Sequence, residues 1–353
     1  MKIEVHSPTI RRKEMDAVLT AMVEDQIGPG DRSKLLIQTA REQLHFDYAL
    51  ALRSPATALH IALKALNLEK DSGVMVSALS PRYYAQVITD LNLIPVYCDV
   101  SFSFPCMSRE NIDKIINDNK ITPRCIVLHH TLGFVPDTES ILELGIPVIE
   151  DISQSYCLPP VSEQTEQSEN EKKLELVRGT FAILGLEERD MLTSGGGALL
   201  IAMNKKESSL LRTFSNIAPE YCLPDINAAL ATVQFREAAK NIARRHEIAQ
   251  VYMQSSLRTR HKRFIPLEGI EYNNFAFPLI LETGMKDVTT YARKKEIIVE
   301  TAFDQSLAGM GISDSIICPA AYSLSLRTVL FPLYPRLSSK DAERVSKLIM
   351  TLP

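Results

Sequence analysis

Asp151 closes the apolar run Ile146-Pro147-Val148-Ile149-Glu150-Asp151, and Gln154 follows three residues later. A carboxylate at the carboxyl end of a buried strand stands where open α/β sheets bind ligands. It can also simply cap nearby N–H groups. The segment Arg53-Ser54-Pro55-Ala56-Thr57 passes from strand to helix, a junction whose free N–H groups can cradle an anion. A third stretch, residues 179–201, reads GTFAILGLEERDMLTSGGGALLI. "TFAIL" and "GALLIA" read as short strands, Ser194-Gly195-Gly196-Gly197 as a tight turn, and Glu187-Glu188-Arg189-Asp190 as a charged patch between them. Glu187 and Arg189 read either as solvated loop charges or, with Glu220, as the lining of a pocket. His129-His130 invites a metal, but no acidic or histidine partner stands at ligand spacing, so packing is favoured.

Such groups need a scaffold that gathers them. "YALAL" (48–52), "VMVSAL" (74–79), "IPVYCDV" (94–100), "CIVLHHT" (125–131) and "IPVIEDI" (146–152) read as buried strands. Helical patterns separate them, among them the stripe Leu59, Ala62, Leu63 and Leu66. Buried strands alternating with helices predict a largely parallel, doubly wound sheet. Ile10, Met15, Val18, Leu19 and Met22 form one apolar face of an N-terminal helix. Residues 226–257 read as one long helix bridging to a smaller domain. SEQTEQSENEKK (162–173) reads as an exposed polar loop.

At 353 residues the chain can bury a large core in two domains, and its net charge of -4 gives no electrostatic reason to expect nucleic acid or an anionic membrane. Six scattered cysteines, without a C-x-x-C pair, fit reduced thiols better than a disulfide or zinc framework. The first residues lack an apolar signal core and no apolar run approaches membrane-spanning length, so the expected location is the cytoplasm.

Three further segments occur in order: YCLPDINAALATVQF, ARRHEIAQVY and VLFPLYPRLSSKDAERV. Together with VIED they resemble, over nearly the whole chain, the DegT/DnrJ/StrS family of nucleotide-sugar aminotransferases. That family carries N-Y-R-M-S-D-I-Q-A-A, R-R-x-I-A-x-x-Y and L-P-L-Y-P in the same order. The resemblance implies an α/β, aspartate-aminotransferase-like (type I PLP-dependent transferase) fold. Its mostly parallel sheet is flanked by helices in a large domain (1–240), followed by a small C-terminal α+β domain (241–353), with active sites at a homodimer interface. It also implies pyridoxal phosphate, held by a lysine Schiff base, with an aspartate on the pyridinium nitrogen.

Carried over residue by residue, the aspartate is Asp151 and the glutamine of that strand end is Gln154. The S-G-T phosphate turn reads Ser54-Pro55-Ala56: Pro55 lacks an N–H and Ala56 a hydroxyl. The serine of F-S-F matches Ala182, and the ring-stacking aromatic falls near Pro81, with Tyr83 and Tyr84 close by. Ser80-Pro81 reads equally as a helix entry. The partner's N-Y-R segment reads Glu220-Tyr221-Cys222, and the lysine position is Glu187 or Arg189. Each hydrogen bond to a charged group is worth about 1.5–3 kcal/mol, so three lost donors imply roughly 5 kcal/mol, over a thousandfold in affinity.

The expectation is a degenerate family member, related to enzymes of sugar or polysaccharide biosynthesis, with no covalently bound cofactor. It would bind a nucleotide-sugar or pair with a second copy or an active relative, without nucleic acid or membrane. The alternative is an active aminotransferase or dehydratase with a non-standard site, using PLP or PMP. Its nearest lysines are Lys172, Lys173, Lys205 and Lys206, and His130-Thr131-Leu132-Gly133 matches the H-T-L-G of the family's dehydratase branch.

Overall fold

A computed structural model of the chain describes residues 2–119, 122–156, 177–270, 272–313 and 315–353. The polar stretch 162–173, with Lys172 and Lys173, and Cys157 lie outside them. Two N-terminal helices, α1 (Arg12–Val23) and α2 (Asp31–Leu44), precede the sheet domain. Its elements then alternate: β1 (Tyr48–Leu52), α3 (Pro55–Ala65), β2 (Gly73–Ser77), α4 (Tyr83–Asp90), β3 (Ile94–Cys98), α5 (Arg109–Asn119), β4 (Cys125–His129), α6 (Thr138–Leu142) and β5 (Val148–Asp151). β6 (Phe181–Gly185), β7 (Ala198–Ala202) and α7 (Lys205–Arg212) complete it.

The seven strands lie in the order β1-β7-β6-β5-β4-β2-β3. β6, β5, β4, β2 and β3 run parallel, and β7 alone runs against both its neighbours. The connection 186–197 therefore joins adjacent antiparallel strands. It is longer than the expected tight turn, and the glycine run forms only its last part. Successive residues of β6 and β7 feed opposite cores: Ala182, Leu184, Leu199 and Ile201 join Phe235 on one face, while Phe181, Ile183, Ala198 and Leu200 join Leu59 and Leu63 on the other. Burial on both faces explains why these strands read as continuous apolar runs.

The helix α8 (Asp225–Ser256) packs on α1 and α2, crosses residue 240, and runs on into a separate core with Phe277, Leu279, Val345 and Leu348. Around that core stand β8 (Phe277–Ile280), α9 (Met285–Lys294), β9 (Glu300–Thr301), β10 (Thr328–Phe331) and α11 (Ser339–Met350), while α10 (Pro319–Arg327) packs Ala321 and Leu324 into the core that holds Phe235. The second sheet has the order β8-β10-β9 and is antiparallel. The described cysteines are free thiols, and among the described residues no helix is long and apolar enough to cross a membrane.

The apolar face of α1 points outward. Met15, Leu19 and Met22 are 56%, 57% and 50% exposed, because α1 turns Glu14 and Ala21, not its apolar stripe, toward the molecule. Glu14 is satisfied there by Gln234 Nε2 at 3.2 Å and by the Arg11 amide at 2.9 Å.

Asp225, the first residue of α8, is 2% exposed and accepts from Gly30 N, Ser33 N, Ser33 Oγ and Arg32 N at 2.8–3.0 Å. It thereby caps the N-terminus of α2, where backbone N–H groups lack helical partners. Replacing it with alanine strands buried donors, so Asp225→Ala should cost about 3 kcal/mol. Urea unfolding of the two proteins checks this; an unchanged midpoint would show that α2 is not held by this carboxylate.

Candidate functional site

Asp151 ends β5 at the carboxyl edge of the sheet, paired in register with His129 of β4 and Ile183 of β6. It is 2% exposed, so its charge must be met by donors. Oδ1 accepts from Ser153 N at 3.0 Å and Ser153 Oγ at 2.5 Å. Oδ2 accepts from the hydroxyl of Tyr84 at 2.5 Å and, more weakly, from that of Tyr83 at 3.4 Å. Tyr84 is fully buried, edge-on to Tyr83 at 4.9 Å and to His129 at 6.1 Å. Burial, and then the charge of Asp151, push both phenols well above their ordinary value, so they stay protonated and donate. His129, bonded through Nδ1 to Thr131 Oγ1 at 2.9 Å, is held down to about 4 by burial and is neutral.

The connection 186–197 folds over this carboxylate. Asp190 Oδ2 accepts from Glu187 N at 2.8 Å, and burial pushes the Asp190 carboxyl up to about 8, with Asp151 and Glu187 adding repulsion. Asp190 and Ser153 close on Gly185 so tightly that a Cβ there would force both side chains to shift. Glu187 is half-buried, and its carboxyl is raised by burial. Arg189 is exposed and pairs with Glu300 of β9 at 2.7 Å, joining the connection to the second sheet.

Gln154 has a structural partner. Its Oε1 accepts from Leu132 N at 2.7 Å, steadying a turn in which Leu132 and Gly133 have φ of 55° and 85°. His130 of the same turn is buried, with Nδ1 2.7 Å from Ser155 Oγ and Nε2 3.2 Å from Glu150 Oε2. Glu150 also accepts from Arg178 N and Gly179 N. Burial raises its carboxyl, but these partners outweigh burial and hold it below its ordinary value. His129 and His130 therefore pack, and no group of three metal-ligating side chains occurs among the described residues.

At the start of α3, Ser54 Oγ accepts from Thr57 N at 3.1 Å and Pro55 occupies the first turn, so two of that turn's amide positions offer nothing to an anion. Ala56 follows, half-buried. Pro81 precedes α4 and bridges Ser306, which places it at a helix entry. Ala182 sits wholly buried in β6. Glu220 is exposed, in a one-turn helix whose Tyr221 carbonyl accepts from Arg53 N at 2.9 Å in the same chain. Lys205 and Lys206 are exposed beyond Ala202, at the sheet edge opposite Asp151, because β7 runs antiparallel.

The sequence reading missed Tyr84, Ser153 and Asp190 as partners of Asp151. A cavity of about 250 Å³ lies elsewhere, between Met253 and Ala249 of α8 and the rings of Phe134, Phe264 and Tyr272.

The chain superimposes on an aminotransferase, TlmJ from Streptoalloteichus hindustanus, with a TM-score of 0.83 and 19% identity over 99% of this chain and 98% of that one. An aminotransferase from Psychrobacter cryohalolentis gives 0.80 and 16% over 97% and 96%. GDP-4-keto-6-deoxymannose-3-dehydratase (ColD), solved with GDP-perosamine, gives 0.80 and 12% over 98% and 100%. The fold is therefore that of the PLP-dependent aminotransferases. The model of the DegT/DnrJ/EryC1/StrS aminotransferase family matches residues 8–159 and 192–350, and the chain belongs to that family. Between the matched blocks lies the stretch with Ala182, Glu187 and Arg189.

Asp190 gives the site a pH signature. Its folded value of about 8 exceeds the ordinary 3.8, so the folded chain holds this proton more tightly than the unfolded one. Its contribution is complete below about pH 4 and is lost as pH rises toward about 8. Asp190→Asn should remove that slope, becoming more stable than wild type across the window and running parallel to it outside. Melting temperatures measured from pH 4 to 9 decide it; identical slopes would place no such proton on Asp190.

Proposed function

We propose that this chain keeps the family's scaffold without its transamination chemistry. It would act as a nucleotide-sugar-binding or partner subunit in sugar or polysaccharide biosynthesis. One observation carries the reading: the strand-to-strand connection where relatives place their lysine offers Glu187, whose carboxyl cannot form a Schiff base, and Arg189, which is paired with Glu300. Pyridoxal phosphate does not fit the residues present. Its aldehyde meets no amine there, and its phosphate would face Pro55 and a Thr57 amide already spent on Ser54. Ala182 stands where relatives have a hydroxyl. Lys205 and Lys206, at the far edge of the sheet, do not replace the missing amine.

The purified chain incubated with pyridoxal phosphate and reduced with borohydride should carry no pyridoxyl adduct on any lysine by mass analysis. It should form no amino sugar from a keto-sugar nucleotide and glutamate. An adduct, Lys172 and Lys173 included, or turnover of the keto-sugar would overturn the reading and favour an active enzyme with a non-standard site.

The partner is proposed to be a second copy or an active relative, seated on the outward stripe of α1. Met15, Leu19, Met22, Val23 and Ile27 are each at least half exposed, a continuous apolar face of the kind that marks interfaces. Leu19→Glu should turn a dimer into a monomer in light scattering without lowering the monomer's helix content. A wild-type chain that is monomeric at tens of micromolar, alone and with an active relative, would place the interface nowhere on this face.

A further inference from the structure

A scaffold without the Schiff-base lysine can still hold the cofactor's ring by hydrogen bonding and packing alone. We propose that Tyr84 closes that route: its phenol occupies the hydrogen-bonding face of Asp151 that a pyridinium nitrogen requires, so the chain supplies its own ring there. The inference rests on the reading of the chain as a non-transaminating member, and extends it from the covalent bond to the ring.

One carboxylate can accept only a few hydrogen bonds. Its two oxygens offer about four acceptor sites. On Asp151, Ser153 N and Ser153 Oγ take Oδ1, and Tyr84 and Tyr83 take Oδ2. The Ser153 bonds follow locally from the chain leaving β5, and Ser153 Oγ is fixed again by Gly185 N at 2.7 Å. Oδ2 is thus the oxygen that faces away from its own strand, and Tyr84 holds it at 2.5 Å.

Tyr84 is not free to leave. It belongs to α4, whose Ala85, Val87 and Ile88 are buried in the core shared with Leu59 and Ile183. Its ring has no exposed surface, with Tyr83 on one edge and His129 on another. Moving it aside would uncover the carboxylate, break a charge-assisted bond and open the core together. Asp190 and Ser153 pack against Gly185 on the neighbouring strand, leaving no room there for a displaced ring.

The test uses pyridoxamine, which has the ring and neither the phosphate nor the aldehyde, so it depends on neither the lysine nor the phosphate cradle. Titration of the full chain, followed by calorimetry and by thermal shift, should show no saturable binding to wild type up to millimolar pyridoxamine. Tyr84→Phe, which frees Oδ2 but keeps the ring, should also fail to bind. Tyr84→Ala should bind saturably, at least tenfold more tightly than wild type, and adding Asp151→Asn should abolish the gain. Saturable binding by wild type that Asp151→Asn removes would overturn the proposal. So would a Tyr84→Ala chain that melts cooperatively yet binds no pyridoxamine. If Tyr84→Ala does not fold, Tyr84→Thr takes its place in the same series. A borohydride adduct on wild-type lysine would instead sink the underlying reading, so the two failures are distinguishable.

Discussion

A negative charge buried at the end of a central strand must be met where it stands, because water cannot reach it. Asp151 meets that demand with Ser153 from the chain just leaving β5 and with Tyr84 and Tyr83 from α4. Much around it follows from that bond set. α4 is docked so that two phenols point down at the carboxyl edge of the sheet, and Gly185 carries no side chain so that Ser153 can sit against β6. Burial is the main reason that Asp190 holds its proton up to about 8, with repulsion from Asp151 adding to it, and burial keeps His129 neutral down to about 4 against the pull of the Asp151 charge. The pocket tolerates one charge and surrounds it with neutral donors.

One residue earlier, Glu150 points to the other side of the strand and organises a second polar centre. His130, Thr138, Arg178 N and Gly179 N all converge on it. Gln154 and Asn273 close the same region by fixing Leu132 N and the Gln154 carbonyl, against a glycine at φ 85° where a side chain would strike Asn273 and Phe275. The stretches His130-Thr131-Leu132-Gly133 and Val148 to Gln154 are thus engaged in holding strands and turns. A scaffold can keep such residues for packing whatever becomes of its chemistry.

The connection above the site also ties the molecule together. Arg189 reaches Glu300 of the second sheet, and His6, half-buried near Arg189 and Arg245, is held down to about 4 by burial and by those two cations. Nearby, Ile3 bridges Ile297, so the N-terminal strand segment, the connection and the C-terminal sheet meet in one place. Arg245 is committed to the carbonyls of Phe275 and Leu333. Arg189 thus serves a tertiary contact between the connection and the second sheet.

Strands β1 to β7 and the long α8 were legible in the sequence, because strands buried on both faces leave continuous apolar runs and a helix leaves a 3.6-residue rhythm. The colinear motifs fixed the family, and the lack of a lysine between β6 and β7 was plain from residue types alone. What the sequence could not show was which way α1 faces, since an apolar stripe looks the same toward a core or toward a partner. Nor could it show that Tyr84 would land on Asp151, 67 residues away. Residue identity determines the available chemistry locally; which donor reaches which acceptor depends on how separate strands and helices pack, and that packing is a property of the whole chain.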